Sequence, residues 1–195
     1  MKTTFSSHRQ VRMICEGAVM VAAAQVLGYI KLWEMPWGGS ICLSMLPIFL
    51  FAVRWGLGPG LISGFALGIL QFTLDGGFAL GWQSIIGDYL VAYTVVGLAG
   101  LFRGKGWSIY AGTAAGSLAR FLVHYVVGAT IWAEYMPETF FGMTMTTPWF
   151  YSMLYNGFYM AIDMALCLLV FALAAKPMKK YYLGQDLAPA ARGEA

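Results

Sequence analysis

Six long apolar stretches, each closed off by helix-breaking residues, decide what this chain can fold into. They run Val11–Ile30, Ile41–Val53, Gly58–Leu74, Ser84–Leu101, Ile109–Trp132 and Pro148–Ala175. Between them lie "MPWGGS", "GLGPG", "LDGG", "GKG" and "TTPW", segments that punctuate rather than continue a helix. A helix of about 20 apolar residues spans the roughly 30 Å hydrocarbon core of a bilayer. The second stretch is short for that distance, so it is tilted or begins within the preceding loop. Composition agrees: 11% of the residues are charged, against roughly 25% in soluble domains, and 59% are hydrophobic. The expected fold is an all-α integral membrane protein of six transmembrane helices. A single membrane domain covers 1–182, and a polar, alanine-rich, flexible tail covers 183–195. The start, "MKTTFSSHRQVRM", is polar, and no A-x-A site follows the first run, which reads as a retained helix and not a signal peptide.

The charges orient the bundle. Arg9 and Arg12 precede the first stretch, Arg54 follows the second, Arg103 and Lys105 follow the fourth, and Lys176, Lys179 and Lys180 follow the sixth. With alternating spans all of these fall on one side. The opposite loops hold Glu34, Asp75, Glu134 and Glu138, with Lys31 as their basic residue. Positive charge stays inside, so both termini are expected in the cytoplasm of a multi-pass cell-membrane protein. The net charge of +3 is too small, and too clearly laid out for topology, to suggest nucleic acid. Cys15, Cys42 and Cys167 lack metal-like or redox-like spacing and read as packing residues; no metal and no cofactor is expected. There is no Walker A motif and no H-E-x-x-H. The chain does not hydrolyse ATP by itself, so energy for any transport comes from elsewhere.

Polar groups inside apolar stretches are costly and usually face a bundle interior or a site. Here they gather toward one membrane face: Asp88 and Tyr89 near the outer start of the fourth stretch, His124 and Trp132 toward the outer end of the fifth, Tyr151 and Asn156 near the outer start of the sixth, and Trp37 in the first outer loop. Arg120, His124, Gly128 and Trp132 follow one another at i, i+4 and share a helix stripe. Each has a plainer reading. The tryptophans and Tyr135 also suit an interfacial belt. Gly128 also suits helix packing, and Asn156 an interhelical hydrogen bond. Asp88 needs a partner, and an Asp88–Arg120 ion pair is the bland solution. Asp163 lies seven residues beyond Asn156 on a similar face and has no assigned role; Glu16, near the inner end of the first stretch, is expected to be interfacial. As a set, the residues describe a pocket of aromatic faces with a carboxylate, an imidazole and an amide. Such a pocket favours a flat, positively charged heteroaromatic ligand, and thiamine, an aminopyrimidine joined to a thiazolium, has that chemistry.

The segments "DYLVAYTVVGLAGLFRGK" (88–105), "HYVVGATIWAEY" (124–135) and "YSMLYNG" (151–157) carry a resemblance to the thiamine-binding S-components of energy-coupling factor (ECF) vitamin transporters. The resemblance covers nearly the whole chain. It implies a binding subunit, not an enzyme, with no catalytic residues. The implied ligand residues are Trp37, Asp88, Tyr89, Arg120, His124, Gly128, Trp132, Tyr151 and Asn156. Asp88 stands where the family usually has glutamate, Arg120 where lysine is common, and Phe78 where a tyrosine aligns. The first outer loop, with Gly38 and Gly39 beside Trp37, would be a lid. The implied partners are a transmembrane coupling protein, met through Ala18 and Ala22 of the first stretch, and two ATPase subunits, all within the lipid bilayer or at its surface. Three other readings remain at this level: an S-component for another vitamin or a thiamine precursor, a small intramembrane enzyme using His124 and Asp88 with Ser84 as a weak nucleophile, and a structural subunit without a ligand.

Overall fold

The computed structural model describes residues 7–187. Each apolar stretch contains a helix: α1 (Ser7–Tyr29), α2 (Leu46–Trp55), α3 (Leu57–Leu74), α4 (Trp82–Phe102), α5 (Ser108–Thr130) and α6 (Pro148–Leu173), followed by a short α7 (Ala175–Tyr182). Helices α1, α3, α4 and α6 are long and apolar enough to cross a membrane. Helix α2 has ten residues, about 15 Å at 1.5 Å per residue, half a bilayer core. Residues Pro47 to Trp55 are all buried, so α2 is wrapped by its neighbours and not by lipid. Its Ile48, Phe49 and Val53 pack with Leu67, Val96 and Ile109 at the centre of the molecule.

Two small antiparallel hairpins lie in loops. The first pairs β1 (Trp33–Glu34) with β2 (Ser40–Ile41), Trp33 opposite Ile41. The second pairs β3 (Thr139–Phe140) with β4 (Met143–Thr144). Its turn residues Phe141 and Gly142 both have positive φ (51° and 74°), the requirement of a tight two-residue hairpin.

Helices α3 and α4 lie backbone against backbone. Gly60, Gly64 and Gly68 form one ridge of α3. A Cβ on Gly60 would meet the Gly97 carbonyl oxygen at 2.9 Å, and one on Gly64 or Gly68 would strike the carbonyl of Tyr93 or Tyr89. Small residues permit such approach, and in lipid close packing is a main source of helix association. Helix α4 is itself irregular. It is π-helical over Ile85–Val91 and tightens to a 3-10 helix over Val95–Phe102. The wide turn carries Asp88 and Tyr89, and π-turns often occur at functional positions.

Toward the other end of α1, Arg54 ties three segments together. Its Nε lies 2.6 Å from Glu16 Oε1 on α1, and its Nη1 lies 3.0 Å from Asp186 Oδ1. Arg12 Nη1 donates to the Asp186 carbonyl at 2.8 Å. Leu183–Leu187, expected as the start of a flexible tail, are therefore docked. Gln185–Leu187 form a 3-10 turn, and Leu187 is buried against Phe51 and Trp55. The physical reason is the Arg54 guanidinium, only 3% exposed, which needs both carboxylates. Glu16 is likewise part of this network, not a lone interfacial group. Residues 188–195 lie outside the described residues.

Gly64→Leu must separate α3 from α4 and should lower the melting temperature in detergent by roughly 5 °C or more. Gly58→Ala, which meets nothing within 4 Å, should leave it unchanged or slightly raised. Burial works to raise the Asp186 carboxyl, but Arg54 and then Arg12 outweigh it and hold it below the usual carboxylate range. A lowered folded pKa contributes stability above the unfolded value of about 3.9 and loses it as pH falls through the folded value. Melting temperature should therefore drop more steeply below about pH 4 in the wild type than in Asp186→Asn, whose curve should start lower and run flatter.

Candidate ligand-binding site

A cavity opens where the first hairpin and the α3–α4 loop meet the adjoining ends of α4, α5 and α6. Its centre is the Asp88 carboxylate. Oδ1 lies 2.9 Å from His124 Nδ1, while Oδ2 accepts from Trp132 Nε1 at 2.8 Å and from Ser84 Oγ at 3.0 Å. Asp88 and His124 side chains are 15% and 11% exposed. Three donors on one buried carboxylate fix its orientation and that of its partners. With Nδ1–H given to Asp88, His124 Nε2 is an acceptor, and it has no hydrogen-bond partner among the described residues. Trp132 lies just beyond the end of α5, so the i, i+4 stripe is helical only as far as Gly128. The Asp88 bond turns the indole back over the cavity, where Phe78 and Tyr135 flank it at 5.3 and 5.6 Å.

The expected Asp88–Arg120 pair does not form. His124, one turn further along α5, takes that place. Arg120 is 7% exposed and lies 4.4 Å over the Tyr93 ring, and its Nε has no hydrogen-bond partner among the described residues. A guanidinium stacks well on an aromatic face, and its fork is not a lysine's point charge.

Helix α6 forms the facing wall. Tyr151, Tyr155 and Tyr159 follow at i, i+4 and all line the cavity, with ring separations of 5.6 and 6.0 Å. Asn156 Nδ2 donates to the His124 carbonyl at 3.3 Å, and its Oδ1 accepts from Tyr159 at 3.1 Å. Asn156 thus makes the interhelical bond of the plainer reading and lines the cavity as well. Gly128 likewise serves packing, since a Cβ there would collide with Ser152 Oγ and approach Asn156 Nδ2 to 3.0 Å. Tyr89 donates to the Phe78 carbonyl at 3.2 Å and steadies the α3–α4 loop.

The first hairpin roofs the cavity. Tyr155 donates its hydroxyl hydrogen to the Pro36 carbonyl and accepts from the Gly39 N–H, the latter at 3.2 Å. Gly38, at φ 103°, takes a conformation that favours glycine, and Gly38, Gly39 and Ser40 face the cavity. The backbone of Trp37 is in the turn Pro36–Gly38; its side chain lies outside the described residues.

Asp88, Tyr89, Arg120, His124, Gly128, Trp132, Tyr151 and Asn156 thus line one cavity. Ala18 and Ala22 are not part of it; they are exposed on α1 beside Val11, Ile14, Val19 and Val26. Tyr93, Ser152, Tyr155, Tyr159 and Gln71 also line the cavity and were not singled out from the sequence. Ser84, weighed there only as a weak nucleophile, is a hydrogen-bond donor to Asp88. The i, i+4 run of Tyr151, Tyr155 and Tyr159 was a readable signal. Gln71 and Tyr93 carried none, because they arrive from other helices. Among the described residues, no group of three or more His, Cys, Asp or Glu is placed to hold a metal ion.

Apolar helices around an enclosed aromatic and polar cavity define a multi-pass membrane protein that binds a small molecule. A family model described as "Thiamine transporter protein" matches residues 14–182, and the chain belongs to that family of cell-membrane transport proteins. It is 34% identical over 182 residues to thiamine transporter ThiT of Bacillus subtilis, covering 86% of this chain and 91% of the relative. It is 30% identical over 167 residues to ThiT of Lacticaseibacillus paracasei, covering 77% and 80%. The solved structure of ThiT from Listeria monocytogenes superposes with a TM-score of 0.78 over 89% of this chain and 98% of that one. At 21% identity that likeness speaks for the fold alone.

The site predicts its own sensitivity. Asp88→Ala leaves the His124 and Trp132 donors unpaired and should lower unfolding free energy in detergent by about 2–4 kcal/mol. Ser84→Ala removes one of three donors and should cost no more than about 1 kcal/mol.

Proposed function

We propose that this chain is the substrate-binding S-component of an ECF-type importer and that its ligand is thiamine, captured from outside the cell. The observation that carries the reading is the Asp88–His124–Trp132 network, a fixed carboxylate beside a fixed indole in one cavity. The carboxylate attracts a cationic thiazolium, and the aromatic faces of Trp132, Tyr151 and Tyr155 stack on flat rings. His124 Nε2, Arg120 and Asn156 offer an acceptor, a fork of donors and an amide to the edges of an aminopyrimidine. Membership of the thiamine transporter family supports this ligand.

In this reading all six apolar stretches pass through the bilayer, the second as the short buried α2 together with the loop residues before it, and both termini are cytoplasmic, with Arg54, Arg103, Lys105 and the α7 lysines inside. The cavity then faces outward and the first hairpin is its lid. The exposed Ala18–Ala22 face of α1 meets a transmembrane coupling protein, which joins it to two ATPase subunits. These supply the energy, and the S-component turns its loaded site toward the cytoplasm. The shorter Asp88, Phe78 and the forked Arg120 favour, as a second reading, a thiamine precursor at the same site.

Tryptophan fluorescence of the purified protein tests the proposal. Thiamine should quench it saturably while riboflavin and biotin do not, and Asp88→Asn and His124→Ala should each weaken the response by roughly tenfold or more. No quenching at millimolar thiamine sinks the thiamine reading.

A further inference from the structure

The hydrogen bonds that tie the turn of the first hairpin to the helices converge on one atom. Among the described residues, the Gly39 N–H donates to the Tyr155 hydroxyl at 3.2 Å, and that hydroxyl donates to the Pro36 carbonyl. The other backbone bonds of the turn stay within it: Met35 N–H to the Gly39 carbonyl at 2.6 Å and Gly38 N–H to the Met35 carbonyl at 3.4 Å. Tyr155 stands on α6 and also lines the cavity. Its hydroxyl belongs to the roof and its ring to the wall. The approach is close. Gly39 has φ −68°, open to any residue, yet a Cβ there would lie 2.8 Å from Tyr159 Cε1 and 3.1 Å from the Tyr155 hydroxyl oxygen. Glycine is needed here for the contact and not for its backbone angles.

The rest of the hairpin is held by other means. Cys42, directly after β2, donates its N–H to the buried Asp163 Oδ1 at 2.9 Å, which fixes the base. Met35 and Ile41 are buried in an apolar cluster with Tyr151 and Met160, contacts that carry no direction. On the outer side, Lys31 lies 2.9 Å from Glu34 and 3.5 Å from Asp75. Glu34 is exposed, and exposed ion pairs hold little. The helix walls do not part easily, since α3 meets α4 backbone to backbone and Gly128 of α5 lies against Ser152 of α6.

We infer that Tyr155 is the latch of this cavity: a positioning residue whose hydroxyl sets how often the roof opens, and so how fast ligand enters and leaves, without setting how tightly it binds. The inference rests on the reading of the hairpin as the lid of a thiamine site and names the residue that controls the lid. Its bonds join hairpin to helix and use no ligand group. Losing them favours opening of free and loaded protein alike, so association and dissociation speed up together and their ratio is kept. A side chain that acted by touching the ligand would change dissociation and affinity together.

Stopped-flow tryptophan quenching by thiamine separates the two. The observed rate plotted against thiamine concentration gives association as slope and dissociation as intercept. Tyr155→Phe keeps the ring and removes the hydroxyl. Both rates should rise roughly tenfold, with the dissociation constant moving by no more than about threefold. Gly39→Ala disturbs the same contact from the hairpin side and should raise both rates in the same way. The double variant should add no more than about threefold to either single one. A dissociation rate that rises alone, with affinity lost in proportion, overturns the inference, and so do unchanged rates. If Tyr155→Phe does not fold, Gly39→Ala decides by the same two rates. Wild type that thiamine does not quench overturns the thiamine reading, a distinct result. Hydrogen exchange of the peptide from Pro36 to Ile41 then decides the latch: Tyr155→Phe should speed it roughly tenfold, and an unchanged rate overturns the inference.

Discussion

The backbone contact between α3 and α4 is the constraint on which the rest depends. Three glycines of α3 let it approach α4 until carbonyl oxygens of Tyr89, Tyr93 and Gly97 lie where side chains would otherwise stand. Tyr89 and Tyr93 are also cavity residues. The same contact that seats α4 therefore sets the depth of the cavity wall. The wide π-turn of α4 then directs Asp88 toward α5. Moving α4 by even the width of a methyl group would move the carboxylate relative to His124 and Trp132. Close packing transmits such a displacement instead of absorbing it.

Around that carboxylate, polar groups are arranged by what each can accept or donate. Asp88 collects three donors, so His124 and Trp132 are held in place before any ligand arrives. Preorganised groups of this kind lose less freedom on binding. Arg120 Nε and His124 Nε2 are the opposite case: buried nitrogens without a hydrogen-bond partner among the described residues, on side chains that border the same space. A buried polar atom left unpaired is costly unless a ligand completes it. The satisfied groups build the cavity, and the unsatisfied ones border it.

The two ends of the bundle are secured differently. At the cavity end, Tyr155 holds the first hairpin through Pro36 and Gly39. At the other end, Arg54 gathers Glu16 and Asp186 in a charged network that docks Gln185–Leu187. Hydrogen bonds on one hydroxyl make a slight attachment that breaks easily. A guanidinium shared between two carboxylates is a multiple attachment and suits a static joint.

Much of this was legible in the sequence, because hydropathy and charge depend on residue type alone. All six stretches contain a helix, and eight of the nine candidate ligand residues line one cavity; the side chain of the ninth, Trp37, lies outside the described residues. The i, i+4 spacing of Arg120, His124 and Gly128 was enough to place them together, since helical periodicity is local. Pairing is not local. The sequence offered Arg120 as the partner of Asp88, and the structure chose His124, because only the relative depth of α4 and α5 decides which turn of α5 stands level with Asp88. The docking of Asp186, the place of Ser84 beside the carboxylate and the bond from Asp163 to Cys42 are of the same kind. Residue chemistry and spacing determined by themselves that the chain would be helical, lie in a membrane and gather its polar groups at one end. Which of those groups meet was settled by tertiary structure, since contacts across helices depend on how closely and at what height the backbones pack.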